Sequence, residues 1–308
     1  MTKATRAAFG ETLIELVEEG ADVMAVDADL AGSTTTAKLG AKYPDRLVDV
    51  GIAEQNMIGV ASGLALAGRT VFTGSFAVFG AGRCWEQIRN TVCDSGLNVK
   101  VCPTHAGITV GPDGATHQML EDIALMRVLP GMRVLVPADY RSAKAAIRLA
   151  ASTPGPFYVR LGRESVPELY GEDFTCDVAF ANRLREGGDI SIMACGVEVV
   201  HALEAAHALE AEGISAEVVD VMSIKPLDEE VILESARKTG CVLTVEEHSI
   251  YGGMGSAVAE LLSEKNPVRV SRLGMTTFGQ SGSAAELMAH YGLDAAGIKA
   301  KVHEVLGR

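Results

Sequence analysis

Aromatic residues are scarce in this sequence: one Trp, six Tyr and eight Phe in 308 residues. No run approaches the ~20 apolar residues that a membrane-spanning helix needs, so none is expected. Cations are also short, with 27 Lys and Arg against 40 Asp and Glu and a net charge of −13. Such a chain is a poor match for nucleic acid or an anionic membrane, and an anionic substrate must find a local cluster of Arg or His. The six cysteines, Cys84, Cys93, Cys102, Cys176, Cys195 and Cys241, form no C-x-x-C pair. Their spacing suits neither zinc nor a disulfide framework, and they read as small core residues. A Walker-type phosphate loop, an H-E-x-x-H helix and a G-x-S-x-G elbow are all missing from the sequence, against the corresponding nucleotide, zinc-protease and serine-hydrolase chemistries. The opening MTKATRAAFGETL carries charge too early for a signal peptide's apolar stretch, so a cytoplasmic protein is expected.

What is present is abundant apolar material, 48% of the chain, with 33 Gly. Strand-like and helix-like segments alternate from end to end. Residues 5–19 place Phe9, Leu13, Leu16 and Val17 on one helical face, and residues 22–30 read as a strand ending in a polar loop. A helix of small residues follows at 53–67, with further helices at 84–94, 117–128 and 140–151. Short β-runs lie near 70–74, 98–102, 132–136 and 157–161. Residues 166–188 change character, and a second alternating unit starts at Asp189 with ISIMAC. The pattern gives an α/β fold of two doubly wound domains, at 1–170 and 189–308, with a linker at 171–188.

Several residues sit where such folds build sites, in loops after strands. Glu54 opens the small-residue helix; it is either a buried acid that exchanges a proton with a ligand nitrogen or a helix-start acid favoured by the dipole. Phe76 and Phe79 lie in the Gly-rich loop TGSFAVFGAG, where they either stack on a planar ring or anchor the loop in a core. The loop THAGITVGPDGATHQ, residues 104–118, gathers His105, Asp113 and His117 along a path that its glycines allow to be tight. Its alternative reading is a capping loop with Thr116 as helix N-cap. Arg6, Arg160 and Arg163 are candidate anion contacts, since a guanidinium fork fits a phosphate. The turn at 246–262 only partly matches a dinucleotide fingerprint and reads as a tight turn, with His248 able to reach a neighbouring site.

Taken in order, DADLAGS, GIAEQNMIGVASGLA, SFAVF, the His loop, PAD and R-x-x-R resemble the thiamine diphosphate-dependent transketolase family. The resemblance spans this chain but only the C-terminal half of a full transketolase, the pyrimidine-binding domain plus the C-terminal domain. The family's G-D-G motif for diphosphate and metal is missing, so the resemblance implies one subunit of a split enzyme. A separate N-terminal subunit would carry that motif and the Mg or Ca ion, in a dimer of heterodimers that meets along the small-residue helix. Glu54 then matches the glutamate on the aminopyrimidine nitrogen, whose bond favours the imino tautomer that accepts the thiazolium proton. Phe79 matches the aromatic stacked on that ring, Phe76 lines the pocket, and Asp29 matches the acid near the thiazolium. His117 matches a histidine beside the donor hydroxyls, with Asp113 in the same loop. His105, Arg6, Arg163 and Ser33 match sugar-binding positions, the last three as phosphate contacts. The implied reaction moves a two-carbon ketol unit between sugar phosphates.

Three departures leave neighbouring readings open. Ala106 stands where transketolases carry an acid, in T-H-D-S, that discriminates the acceptor's hydroxyls. Gly82 replaces a third aromatic. THAG leans toward 1-deoxyxylulose-5-phosphate synthase, although Asn56 does not. The 2-oxoacid dehydrogenase beta subunits share the fold and the glutamate, and a non-catalytic regulatory paralogue would keep the fold alone.

Overall fold

The computed structural model describes residues 2–307. Its first unit is a seven-stranded sheet in the order Ser223–Lys225, Arg133–Leu135, Phe157–Val159, Val99–Val101, Thr70–Gly74, Val23–Asp27, Leu47–Asp49. Every pairing is parallel except the first, in which Ser223–Lys225 runs antiparallel to Arg133–Leu135. That edge strand comes from the second half of the chain, so the two halves share a sheet. The second unit is a five-stranded sheet, Arg269–Met275, Cys241–Ser249, Ile190–Ala194, Ala216–Asp220, Asn182–Arg185, parallel but for the last strand. Its edge strand Asn182–Arg185 falls inside the expected linker 171–188, because its residues pair with Ala216–Asp220.

Buried parallel strands tend toward continuous apolar runs, and Ile190–Ala194 is buried at every residue and apolar but for Ser191. On one face of the first sheet, helices Ala7–Glu18 and Tyr140–Ser152 bury Phe9, Leu13, Ala143 and Ile147 against Phe72 and Phe157. Fully burying such side chains contributes about 1.5–3 kcal/mol each. Helix Tyr140–Ser152 starts cleanly because Asp139 and Ser142 form a reciprocal capping box. On the other face, Met57, Ile58, Val71, Val99 and Ile123 join Met193, Val219 and Ile232 of the second half in one continuous core. The halves are therefore packed together rather than strung on a linker.

Two expected helices differ. Residues 84–94 are not one α-helix: wide turns cover Val78–Arg83 and Ile88–Asp94, joined by the short α-helical Trp85–Gln87. The helix expected at 117–128 begins only at Asp122. Met119 instead bridges Ala106 in parallel, which stretches the segment before the helix. The cysteines are free, with Cys84, Cys102 and Cys195 buried. Among the described residues no helix is long and apolar enough to cross a membrane.

Candidate active site

The site forms where the first sheet's order reverses, at the carboxyl ends of its central strands, the usual crevice of open α/β sheets. Strand Val23–Asp27 continues into Ala28 and Asp29, and strand Thr70–Gly74 into Ser75 and Phe76. Pairing persists beyond the strands. Thr104 N donates to Ser75 O at 2.9 Å, Ala77 N to Thr104 O at 2.8 Å, and Leu161 N to Pro103 O at 3.1 Å. These bonds draw three loops side by side and so bring together Phe76, His105 and the Arg160–Arg163 turn.

Glu54 is the first residue of helix Glu54–Leu66 and is buried, 4% exposed. Its Oε1 accepts from Arg83 Nη1 at 2.7 Å. Among the described residues its Oε2 has no protein hydrogen-bond partner. Arg83 also lies over the Phe79 ring, 4.6 Å from its centroid. Ala28, Asp29, Leu30, Ile52, Glu54, Phe79 and Arg83 line a recess of about 250 Å³. Asp29 is held at φ +62°, and its N–H donates to Asp49 Oδ1 at 3.0 Å. Under it Asp27 is fully buried and accepts from Thr34 and Thr36 hydroxyls at 2.7 and 2.8 Å and from Leu30 N. Burial pushes the Asp27 carboxyl up despite those donors.

Beside the recess lie the rings. Phe76 stacks on His105 at 3.8 Å between centroids, and Phe79 meets His117 edge-on at 5.4 Å. His105 is 3% exposed, and its Nδ1 pairs with Thr104 Oγ1 at 2.7 Å. Burial, reinforced by Arg6 and Arg163, pulls its imidazole down to about 3, so it is neutral at ordinary pH. Arg6 Nη1 donates to Ser33 O at 2.8 Å, which places these two residues together. Burial and the Arg163 charge lower the Arg6 guanidinium. Arg163 Nη1 donates to Val110 O at 2.7 Å and lies 3.4 Å from Asp113 Oδ2. Two cations and a buried imidazole thus lie within reach of one another, with the half-exposed Asp113 against Arg163, a local basic patch in an acidic chain.

Three sequence readings change. Arg160 is no anion contact: it is buried, and its Nε donates to Asp122 Oδ2 at 2.8 Å. Tyr158 OH donates to the same oxygen at 2.7 Å, so Arg160 is committed to a buried ion pair. His248 does not reach the site: it is fully buried, with Nδ1 on Ser249 O and Nε2 facing Ala124 N. Thr116 caps no helix; its hydroxyl pairs with His117 Nδ1 at 2.9 Å. Sequence reasoning also missed Arg83, whose signal was its position four residues after Phe79. Among the described residues no group of three or more His, Cys, Asp or Glu could hold a metal ion.

Comparison with known proteins identifies the family and the fold. Residues 1–168 match the transketolase pyrimidine-binding domain and residues 180–298 the transketolase C-terminal domain. The chain is 42% identical to an apulose-4-phosphate transketolase subunit of Phocaeicola vulgatus, over 96% of this chain and 95% of that one. It is 41% identical to the 6-deoxy-6-sulfo-D-fructose transketolase subunit SqwH of a Clostridium strain, over 98% and 94%. A solved structure described as a split gene transketolase, inactive beta4 tetramer, superposes with a TM-score of 0.90 at 47% identity, covering 99% of this chain and 98% of that one.

Proposed function

The chain belongs to the transketolase family, and on that premise we propose that it supplies the pyrimidine half of a thiamine diphosphate site. It completes an enzyme that transfers a two-carbon ketol unit from a ketose phosphate to an aldose phosphate. The observation that carries this reading is the recess of Glu54, Phe79, Asp29 and Arg83 set directly beside the His105, His117, Arg6 and Arg163 cluster.

The recess suits the cofactor's aminopyrimidine. It offers the Phe79 ring as an apolar wall for a planar heterocycle and, in Glu54 Oε2, an oxygen without a protein partner on a buried residue. Glu54, Phe79, Phe76 and Asp29 would hold that ring. When bound, thiamine diphosphate supplies a nucleophilic carbon that carries the two-carbon unit. The chain's own work is proton and charge handling. Glu54 Oε2 is the atom at which a proton would pass to and from a ring nitrogen held in the recess, while Arg83 keeps Oε1 engaged and fixes the carboxyl's orientation. Neutral His105 and the half-buried His117 hydrogen-bond sugar hydroxyls, and His117 moves a proton at its free Nε2. Arg6 and Arg163, with Ser33, bind the terminal phosphate, and Asp113 orients Arg163.

The diphosphate and metal ligands, with Mg or Ca, are assigned to a separate N-terminal subunit in a dimer of heterodimers. The related structure's description, an inactive tetramer of beta chains, supports the need for that second subunit. The face of helix Glu54–Leu66 that carries Asn56, Gly59 and Gly63 is exposed, with open space above both glycines, and is the seam for it. The test is reconstitution with an N-terminal subunit bearing the G-D-G motif, thiamine diphosphate and Mg, assayed for ketol transfer from a ketose phosphate. Activity from the pair and none from either chain alone is the expected result; an inactive pair that binds the cofactor would sink the reading.

A further inference from the structure

His105 sits at φ +59°, a left-handed conformation that costs a non-glycine residue on the order of 1 kcal/mol or more. Such strain persists only where the surroundings over-determine it. On one side Phe76 stacks on the ring. The next turn is held from the other domain. Glu247, on the second sheet's strand Cys241–Ser249, is 3% exposed, and its Oε1 accepts from Thr109 N, 138 positions away, at 2.5 Å. The same carboxylate lies against the α-carbon of Gly107, whose φ is +84°; any β-carbon there would overlap Glu247 Cδ and both its oxygens. Arg160 Nη2 ties the clamp to the first domain by donating to Glu247 O at 2.9 Å and to Met119 O at 3.3 Å, and Gly107 N donates to Met119 O at 2.9 Å. Asp122 and Glu198 are the neighbouring acids whose charge is coupled to Glu247, and Glu198 in turn is near Asp294 and Glu246. Both oxygens of buried Glu198 lack partners, and burial with the Glu247 charge raises its carboxyl well above the usual range.

We infer that Glu247 is a positioning residue for the substrate site: through this carboxylate the C-terminal domain holds residues 105–109 in the conformation that keeps His105 stacked on Phe76. The inference rests on the reading of His105 as a sugar-binding residue, and it gives the C-terminal domain a part in the reaction without contact to substrate.

The test uses the full chain, alone and in complex with its N-terminal subunit. Glu247→Ala, and Gly107→Ala from the opposite side of the contact, are each expected to raise KM for the ketose phosphate about tenfold while kcat changes less. Glu247→Gln keeps the shape and an acceptor oxygen and stays within about threefold of the parent. In a His105→Ala background, Glu247→Ala adds less than about twofold, because the two act through one contact. The His105 ring resonance of the full chain, assigned with His105→Asn, moves in both alanine variants. If one variant fails to fold, the other and Glu247→Gln still decide. A resonance unmoved in the folded variants, or KM effects that multiply independently in the double variant, overturns the inference. A parent complex without ketol transfer would instead sink the functional reading and leave the resonance to judge Glu247.

Discussion

Both sheets carry acids at the carboxyl ends of their strands, and the two sets are used differently. In the second sheet Glu246 accepts from Met254 N at 2.7 Å and Gly255 N at 2.9 Å, capping the helix that follows. Glu247 clamps the neighbouring loop, and His248 spends both ring nitrogens on backbone groups. In the first sheet Glu54 also opens a helix, but its backbone neighbours leave one oxygen free and its only protein partner among the described residues is the exposed Arg83. Arg6 faces another cation rather than an acid. One topology thus yields acids spent on a helix start and a neighbouring loop in the second sheet, and in the first an acid whose one protein partner among the described residues is a half-exposed arginine.

The sharpest way to break this contrast is Glu54→Gln. In the reconstituted enzyme it is expected to lower kcat by about 10²–10⁴-fold, since Gln keeps the shape but cannot hold and release the proton. Thermal unfolding of the chain should barely change. Near-parental turnover would place Glu54 with the structural acids of the second sheet. A smaller effect is expected for Arg6→Met combined with Arg163→Met. Losing two charge-assisted contacts should raise KM for phosphorylated ketoses by about 10–100-fold. KM for the unphosphorylated sugar should hardly move, and an equal rise for both would remove phosphate from the patch.

Much of this was readable in the chain. Alternation marked both α/β units, and the Gly-bearing loops after strands drew notice to Phe76, Phe79, His105 and His117, for which the chain alone left a ligand role and loop anchoring open; His105, 3% exposed and stacked on Phe76, is in part such an anchor. What stayed hidden depends on partners far away in sequence. Arg160 looks like a twin of Arg163 until Asp122 and Tyr158 close on it. Glu246, Glu247 and His248 look like a strand end beside a tight turn until the helix start and the loop at 107–109 take up the carboxylates and backbone groups take up the imidazole. The wide turns at Val78–Arg83, which bring Arg83 back over Phe79 and onto Glu54, break the 3.6-residue period that the eye follows.

From the clamp side, Glu246→Gln should leave ketol transfer intact and cost on the order of 1 kcal/mol in denaturant-monitored stability, because one buried backbone donor keeps a carbonyl oxygen and the other loses its acceptor. A loss of activity with unchanged stability would show that this acid serves the site after all.

The smallest effect concerns His105 and the sign of its pH dependence. The unfolded imidazole titrates near 6.5, while burial and the Arg6 and Arg163 charges hold the folded one down at about 3. Below 6.5 the unfolded chain therefore binds a proton that the folded chain does not. The stability tied to neutral His105 is complete above pH 6.5 and is lost as pH falls toward 3. Unfolding free energies of the parent and His105→Asn, measured from pH 7.5 to 5, should diverge in slope only below about 6.5, with the parent steeper. Parallel slopes would mean that the folded ring takes up its proton at the same pH as the unfolded one, so that burial and the two Arg charges do not hold His105 neutral below 6.5.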